Sequence, residues 1–167
     1  MPRITPNLWF STQAEEAVQH YIDALGDGAV RSVMRYGPEA PDLEGTAMTV
    51  QFELLGQSFA AINGGPAFDG NPEFTFNEAI SLEVGCATQD ELNRCWDALV
   101  AGGKPGPCGW LTDRYGLSWQ VSPDVLYDLL LGDDPEGVRR VTQAMLATKD
   151  VPFDIDALQA AYDGVDP

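Results

Sequence analysis

Positive charge is what this sequence has least of. Nine Lys+Arg and a single His face 26 Asp+Glu across 167 residues, leaving a formal charge of −17. So acidic a chain lacks the cations that release counterions from a phosphate backbone or an anionic lipid surface, which argues against nucleic acid and membrane headgroups as partners. Long apolar runs are missing too: nothing approaches the ~18 consecutive apolar residues of a membrane span. No apolar segment follows Met1, so no secretory leader is expected. Cysteine is scarce, with Cys86, Cys95 and Cys108 spaced by nine and thirteen. Three is an odd number, and neither spacing matches a disulfide framework or a Cys-x-x-Cys metal site. Reduced, mostly buried thiols in a cytoplasmic protein are the expectation.

What the chain does have is a 44% hydrophobic content, enough to build a core. Residues 4–10 alternate like a strand, and Ser11 or Thr12 is placed to cap a helix over 13–25. There Ala14, Ala17, Val18, Tyr21, Ile22 and Leu25 recur every three or four residues, which puts them on one stripe. Strands are predicted at 29–36, 47–55 and 58–62, the last two joined by a hairpin turn at Gly56-Gln57. A Gly- and Pro-rich linker occupies 66–75. The pattern then restarts: a strand at 78–84, a helix over 88–100, and short strands at 109–112 and 117–122 with a turn at 113–116. The stretch 102–106 reads as a helix stop and loop, because its glycines lack the spacing and the Ser or Thr of a phosphate-binding loop.

The two halves echo one another. Thr12-Gln13 and Asp23-Ala24-Leu25 bracket the first helix, as Thr88-Gln89 and Asp97-Ala98-Leu99 bracket the second. Gly56-Gln57-Ser58-Phe59 parallels Gly116-Leu117-Ser118-Trp119. Three matches in the same order argue for a duplicated βαβββ module. The expected organisation is α+β: paired modules over 1–122 (first 1–65, linker 66–75, second 76–122), then a helical extension over 123–167. That extension carries ten acidic and three basic residues between Asp124 and Asp166. Burial of Leu126, Leu129, Leu130, Met145 and Leu146 is expected to tie it to the body, with Asp154 capping its last helix.

A duplicated module of this length resembles the vicinal oxygen chelate superfamily of glyoxalases, bleomycin-resistance proteins and extradiol dioxygenases. The stretches 77–84, 88–91 and 108–121, with Arg140-Val141, Ala144-Met145 and Lys149, are similar to its PhnB-like branch, whose members often carry the label demethylubiquinone methyltransferase. In metal-dependent members, four strand positions converge on a divalent ion. The resemblance places these at Pro6 or Asn7, at Ala60, at Glu78 or Ala79, and at Gln120. Only Glu78 and Gln120 are ligand types, and a borderline metal normally takes at least three, often including His. No metal and no cofactor are therefore expected.

Other chemistry is thin. His20 lies within a helix with no nucleophile motif beside it, and Cys108 reads as part of a tight turn. Asp113-Arg114 reads as two charges that are solvated or paired to hold a turn. The aromatic set, Trp9, Phe52, Phe59, Trp110 and Trp119, is expected to be mostly core, with some rings lining an apolar cavity. The resemblance implies that Gln120 faces the cup, and strand alternation then puts Trp119 under the helices and Ser118 on the same face as Gln120. The candidate ligand-binding residues are Asn7, Trp9, Glu78, Ser118 and Gln120, with Trp9 flooring the pocket and Glu78 at its edge. The expected function is binding of a small apolar or aromatic molecule by a homodimer without a catalytic metal. The alternative is a metal-dependent lyase or dioxygenase, and a third reading gives the acidic extension a basic partner.

Overall fold

The structure, a computed structural model, describes residues 2–65 and 74–165, so most of the expected linker lies outside the described residues. The chain divides into two compact units, Met1–Phe76 and Asn77–Pro167. The first unit runs β1 (Asn7–Phe10), α1 (Ala14–Leu25), β2 (Gly28–Arg35), β3 (Ala47–Leu54) and β4 (Gln57–Asn63). The second runs β5 (Leu82–Cys86), α2 (Gln89–Val100), β6 (Lys104–Pro105), β7 (Trp110–Thr112) and β8 (Ser118–Pro123). Three helices close it: α3 (Val125–Leu130), α4 (Pro135–Ala147) and α5 (Ile155–Asp163). The sheet orders are β1-β4-β3-β2 and β5-β8-β7-β6, so each unit contains one βαβββ module in an α+β protein. In each sheet the first and last strands pair in parallel and the remaining pairs are antiparallel.

Alternation decides which face each sheet buries. Leu8, Phe10, Val50, Phe52 and Ala61 are buried with Ala14, Ala17, Val18 and Tyr21 of α1, the predicted stripe. The intervening residues, Asn7, Gln51 and Ala60 among them, point away from α1. In the second sheet Val84, Cys86, Trp119 and Val121 are buried with Leu92, Cys95, Trp96 and Leu99 of α2. Glu83, Gln120 and Ser118 therefore share the face away from α2.

The two helices start differently. Neither Ser11 nor Thr12 caps α1; Gln13 stands at the N-cap and makes no side-chain cap. The Asn63 side chain, at the end of β4, accepts from the Ala14 N–H at 2.8 Å and donates to the Ala47 carbonyl, so a distant strand satisfies the helix terminus. In α2 Thr88 accepts from the Glu91 N–H and Glu91 accepts from the Ala87 N–H, a local reciprocal cap.

Two strands depart from expectation. β5 starts at Leu82 rather than at residue 78, because the Asn77 side chain accepts from the Ala79 N–H and folds 78–80 into an exposed turn. Lys104–Pro105, expected as loop, is a two-residue edge strand paired with β7, and it completes the second module.

The extension is tied to its unit by packing and by a clasp. Leu126, Leu129, Val141, Phe153 and Leu158 are buried; of the others expected inside, Leu130 and Met145 are half-buried and Leu146 is 58% exposed. Gln89 of α2 donates to the Phe153 carbonyl and accepts from the Ile155 N–H. The Cys108 N–H donates to the Thr148 carbonyl, the Asp150 N–H donates to the Gly106 carbonyl, and Pro107 bridges Lys149. Asp154 caps α5 as expected, accepting from the Ala157 N–H.

Candidate ligand site

Register arranges the face away from α2 in two rows. Glu83 of β5 stands beside Gln120 of β8, which stands beside Trp110 of β7. In the next row Ser118 of β8 pairs with Thr112 of β7, which pairs with Lys104 of β6. Ser81, just before β5, keeps the parity of Glu83, and its hydroxyl accepts from Gln120 Nε2 at 2.9 Å. This face therefore carries an indole, an amide, a carboxylate, hydroxyls and one ammonium.

A hollow of about 500 Å³ opens over the outer part of this face. Its wall is Pro105, Gly106, Pro107 and Trp110, its polar points are Ser118, Thr112 and Lys104, and Glu78 stands at its rim. The size suits a small organic ligand, and the lining is the usual mix of apolar wall with a few polar groups. Ser118 is 1% exposed, so it lies at the base of the hollow, shielded from solvent.

The first sheet has a hollow of similar size, about 470 Å³, on its face away from α1. Its chemistry is different: Arg3, Thr5, Asn7, Gln51 and Ser58 line it, with the Arg31–Glu53 ion pair at 3.0 Å. Asn7 lies here, and its amide donates to the Thr5 carbonyl. Trp9 shares its parity, yet its ring is not part of the lining. The ring meets Phe74 edge-on at 5.2 Å and presses on Gly64, where a Cβ would come within 1.8 Å of the indole. Its buried indole N–H finds no acceptor among the described residues.

The five sequence candidates are thus divided. Glu78 and Ser118 line the second hollow, Gln120 sits one row in from it, Asn7 lines the first hollow, and Trp9 is taken up by Phe74. Sequence reasoning missed Lys104, Pro105, Pro107 and Thr112. It also missed Glu83. Asn7 pairs with Ala60 as Glu83 pairs with Gln120, so Glu83 is the register counterpart of Asn7. The spacing of the matching helix starts, Thr12-Gln13 to Thr88-Gln89, carries Asn7 onto Glu83 and was the available signal.

Glu83 is held from the extension. The Tyr127 hydroxyl of α3 donates to its carboxylate, with 3.1 and 3.2 Å to the two oxygens, and this hydrogen bond raises the tyrosine pKa above its ordinary value. The cysteines lie elsewhere. Cys86 and Cys95 are buried between β5 and α2, and the Cys86 thiol is pushed up first by its hydrogen bond to Cys95 and then by burial. Cys108 occupies a turn at φ +54. His20 lies on α1, on the covered side of its sheet, with its ring 5.9 Å from that of Tyr21. Asp113 holds the β7–β8 turn from a buried position, neither solvated nor in an ion pair with Arg114, which donates to the Ala101 carbonyl instead. Asp113 is 3% exposed and accepts from the N–H groups of Tyr115 and Leu117 and from the Trp119 indole at 2.9 Å.

The superfamily metal does not fit these side chains. The positions that register marks are Asn7 and Ala60 in one sheet and Glu83 and Gln120 in the other: one carboxylate, two amides and a methyl. Such a set falls short of the His-containing trio that a borderline divalent ion takes. Among the described residues no group of three or more His, Cys, Asp or Glu is placed to hold a metal ion. Nor is any described helix long and apolar enough to cross a membrane.

The family model described as 3-demethylubiquinone-9 3-methyltransferase matches residues 2–122. The chain is similar to the solved PhnB protein from Bacillus cereus, with 33% identity over 73% of this chain and 99% of that one, at a TM-score of 0.64. It is also similar to protein PA1353 from Pseudomonas aeruginosa, with 25% identity over 74% and 100% of the two chains and a TM-score of 0.59. No significant match is found among curated proteins. The matched family segment ends at residue 122, before α3, so the helices that clasp the second unit lie beyond it.

Proposed function

From the premise that the chain belongs to the PhnB-type 3-demethylubiquinone-9 3-methyltransferase family, we propose that it binds a small apolar or aromatic molecule in the hollow of its second sheet, without a catalytic metal. The observation that carries this reading is the lining: the Trp110 indole and two prolines form an apolar wall over the buried Ser118 hydroxyl. An aromatic ring gains from that wall through burial and ring contact, while the hydroxyl fixes its orientation. The family description names a quinone, a planar conjugated ring that the same wall would take. The donor set around Glu83 and Gln120 supports the absence of a catalytic metal. The family resemblance supports a homodimer, and the free cysteines support a reducing, cytoplasmic setting.

The test is calorimetric titration of the full chain with a neutral aromatic probe, 2-naphthalenemethanol. Saturable one-to-one binding is expected, and Trp110→Ala should weaken it roughly tenfold by removing the ring contact and its buried area. Absence of saturable binding overturns the reading. So does a stoichiometric divalent ion, found by elemental analysis in protein purified without chelators and lost with Glu83→Gln.

A further inference from the structure

The second hollow is electrically asymmetric. Lys104 projects from the edge strand β6 in the row of Thr112 and Ser118, and Glu78 stands at the rim. Lys104 is exposed at the mouth of the hollow, in a chain with nearly three acidic residues for every basic one. Its ammonium makes no ion pair: those among the described residues all use arginine, at Arg31, Arg35, Arg139 and Arg140. Glu78 lines the same hollow yet does not pair with it, which leaves one positive and one negative point around a single apolar wall.

We infer that the ligand is an aromatic ring bearing one acidic group, a carboxylate or an ionised ring hydroxyl, set against the Lys104 ammonium. This inference rests on the second hollow being the ligand site and adds the charge of the ligand. Lys104 supplies a charge-assisted hydrogen bond, and the Thr112 and Ser118 hydroxyls continue its row as further donors. Trp110 and the prolines take the ring. Glu78 selects against a second acidic group, because another anion in this hollow meets a carboxylate in a chain already strongly negative. The site therefore prefers a monoacid over both a neutral ring and a diacid.

The experiment compares three probes of one ring system by calorimetry on the full chain at neutral pH and ~0.15 M salt, where charges about 8 Å apart or closer still interact. These are 2-naphthalenemethanol, 2-naphthoate and 2,6-naphthalenedicarboxylate. The monoacid should bind roughly tenfold more tightly than the alcohol, within the range of a charge-assisted hydrogen bond. The diacid should bind more weakly than the monoacid, and Glu78→Gln should improve the diacid most; a diacid that binds as tightly overturns the role given to Glu78. Lys104→Gln should remove the advantage of the monoacid, weakening it far more than the alcohol, and Lys104→Arg should retain it. If the alcohol binds but the monoacid binds no better, or if Lys104→Gln weakens both equally, the charge inference is overturned and the aromatic site stands. If no probe binds, the site itself is wrong.

Discussion

The two sheets share a strand order and a register, yet they hold themselves together by different means. In the first, α1 is capped from a distance by Asn63, and the β3–β4 hairpin is a backbone turn at Leu55 and Gly56, both at positive φ. In the second, α2 caps itself with Thr88 and Glu91, the β7–β8 turn is pinned by Asp113, and three further helices pack alongside. Their hollows diverge in the same way, one polar with its ion pair, the other walled by Trp110 and prolines. Duplication supplies a scaffold, and each copy then finds its own supports and its own lining. The apolar hollow belongs to the copy whose wall is braced from outside the module. Residues 106–108 carry that wall and hydrogen-bond to the segment between α4 and α5.

Deleting residues 123–167 tests that bracing and should have the largest effect. Leu126, Leu129, Val141, Phe153 and Leu158 are buried, and each contributes ~1.5–3 kcal/mol. Their sum rivals the ~5–15 kcal/mol that separates a folded domain from its unfolded chain. The expected outcome is loss of the cooperative thermal transition of the second unit, followed by near-ultraviolet circular dichroism. A truncated protein that melts like the full chain would mean that the helices are an appendage.

Asp113→Ala should cost about 3 kcal/mol, since it removes three accepted hydrogen bonds and strands the Trp119 indole N–H in the core. Urea denaturation measures it. A loss under 1 kcal/mol would show that the second turn, like the first, is held by its backbone alone.

How legible all this was depended on how many residues a feature spans. Twelve residues of α1 display a stripe, and the predicted Ala17, Val18, Tyr21 and Leu25 are buried. Two residues of β6 display no period, so the strand bearing Lys104 read as a loop. The stretch 78–84 alternates convincingly, but an alternating run also suits a turn followed by a strand, and only the Asn77 side-chain hydrogen bond decides between them. Placing the strand early hid Glu83 and moved the third site position to Glu78. The linings are contact properties of a folded sheet, and single-strand parity reached Ser118 and Asn7 without indicating which neighbours complete each hollow.

Gln120→Ala compares the hollows at equivalent positions, because Ala60 already stands where Gln120 does. Gln120 donates to Ser81 and lies between Glu83 and Trp110, so its loss unties the inner row. Binding of the neutral aromatic probe should weaken by ~1–3 kcal/mol, the usual cost of an unmade polar contact, with little change in thermal stability. Unchanged binding would confine the site to the outer row.

The smallest effect is expected at Leu55. It occupies the first position of a two-residue hairpin at φ +47, followed by Gly56 at φ +80, and it is 51% exposed. Such turns favour Asn or Asp before Gly, because a short polar side chain tolerates the left-handed conformation that crowds the Cβ of a larger one. Leucine in this region costs ~1–2 kcal/mol, and its exposure means that little core packing is lost on replacement. Leu55→Asn should therefore stabilise the first sheet by about 1 kcal/mol, read as a higher urea midpoint with an unchanged slope. The second sheet gains nothing from the same logic, since Gly116 already supplies the positive φ of its turn, at +90. A destabilised Leu55→Asn variant would show that the leucine makes a contact in solution that outweighs its backbone strain, and the first hairpin would then depend on a side chain as the second does.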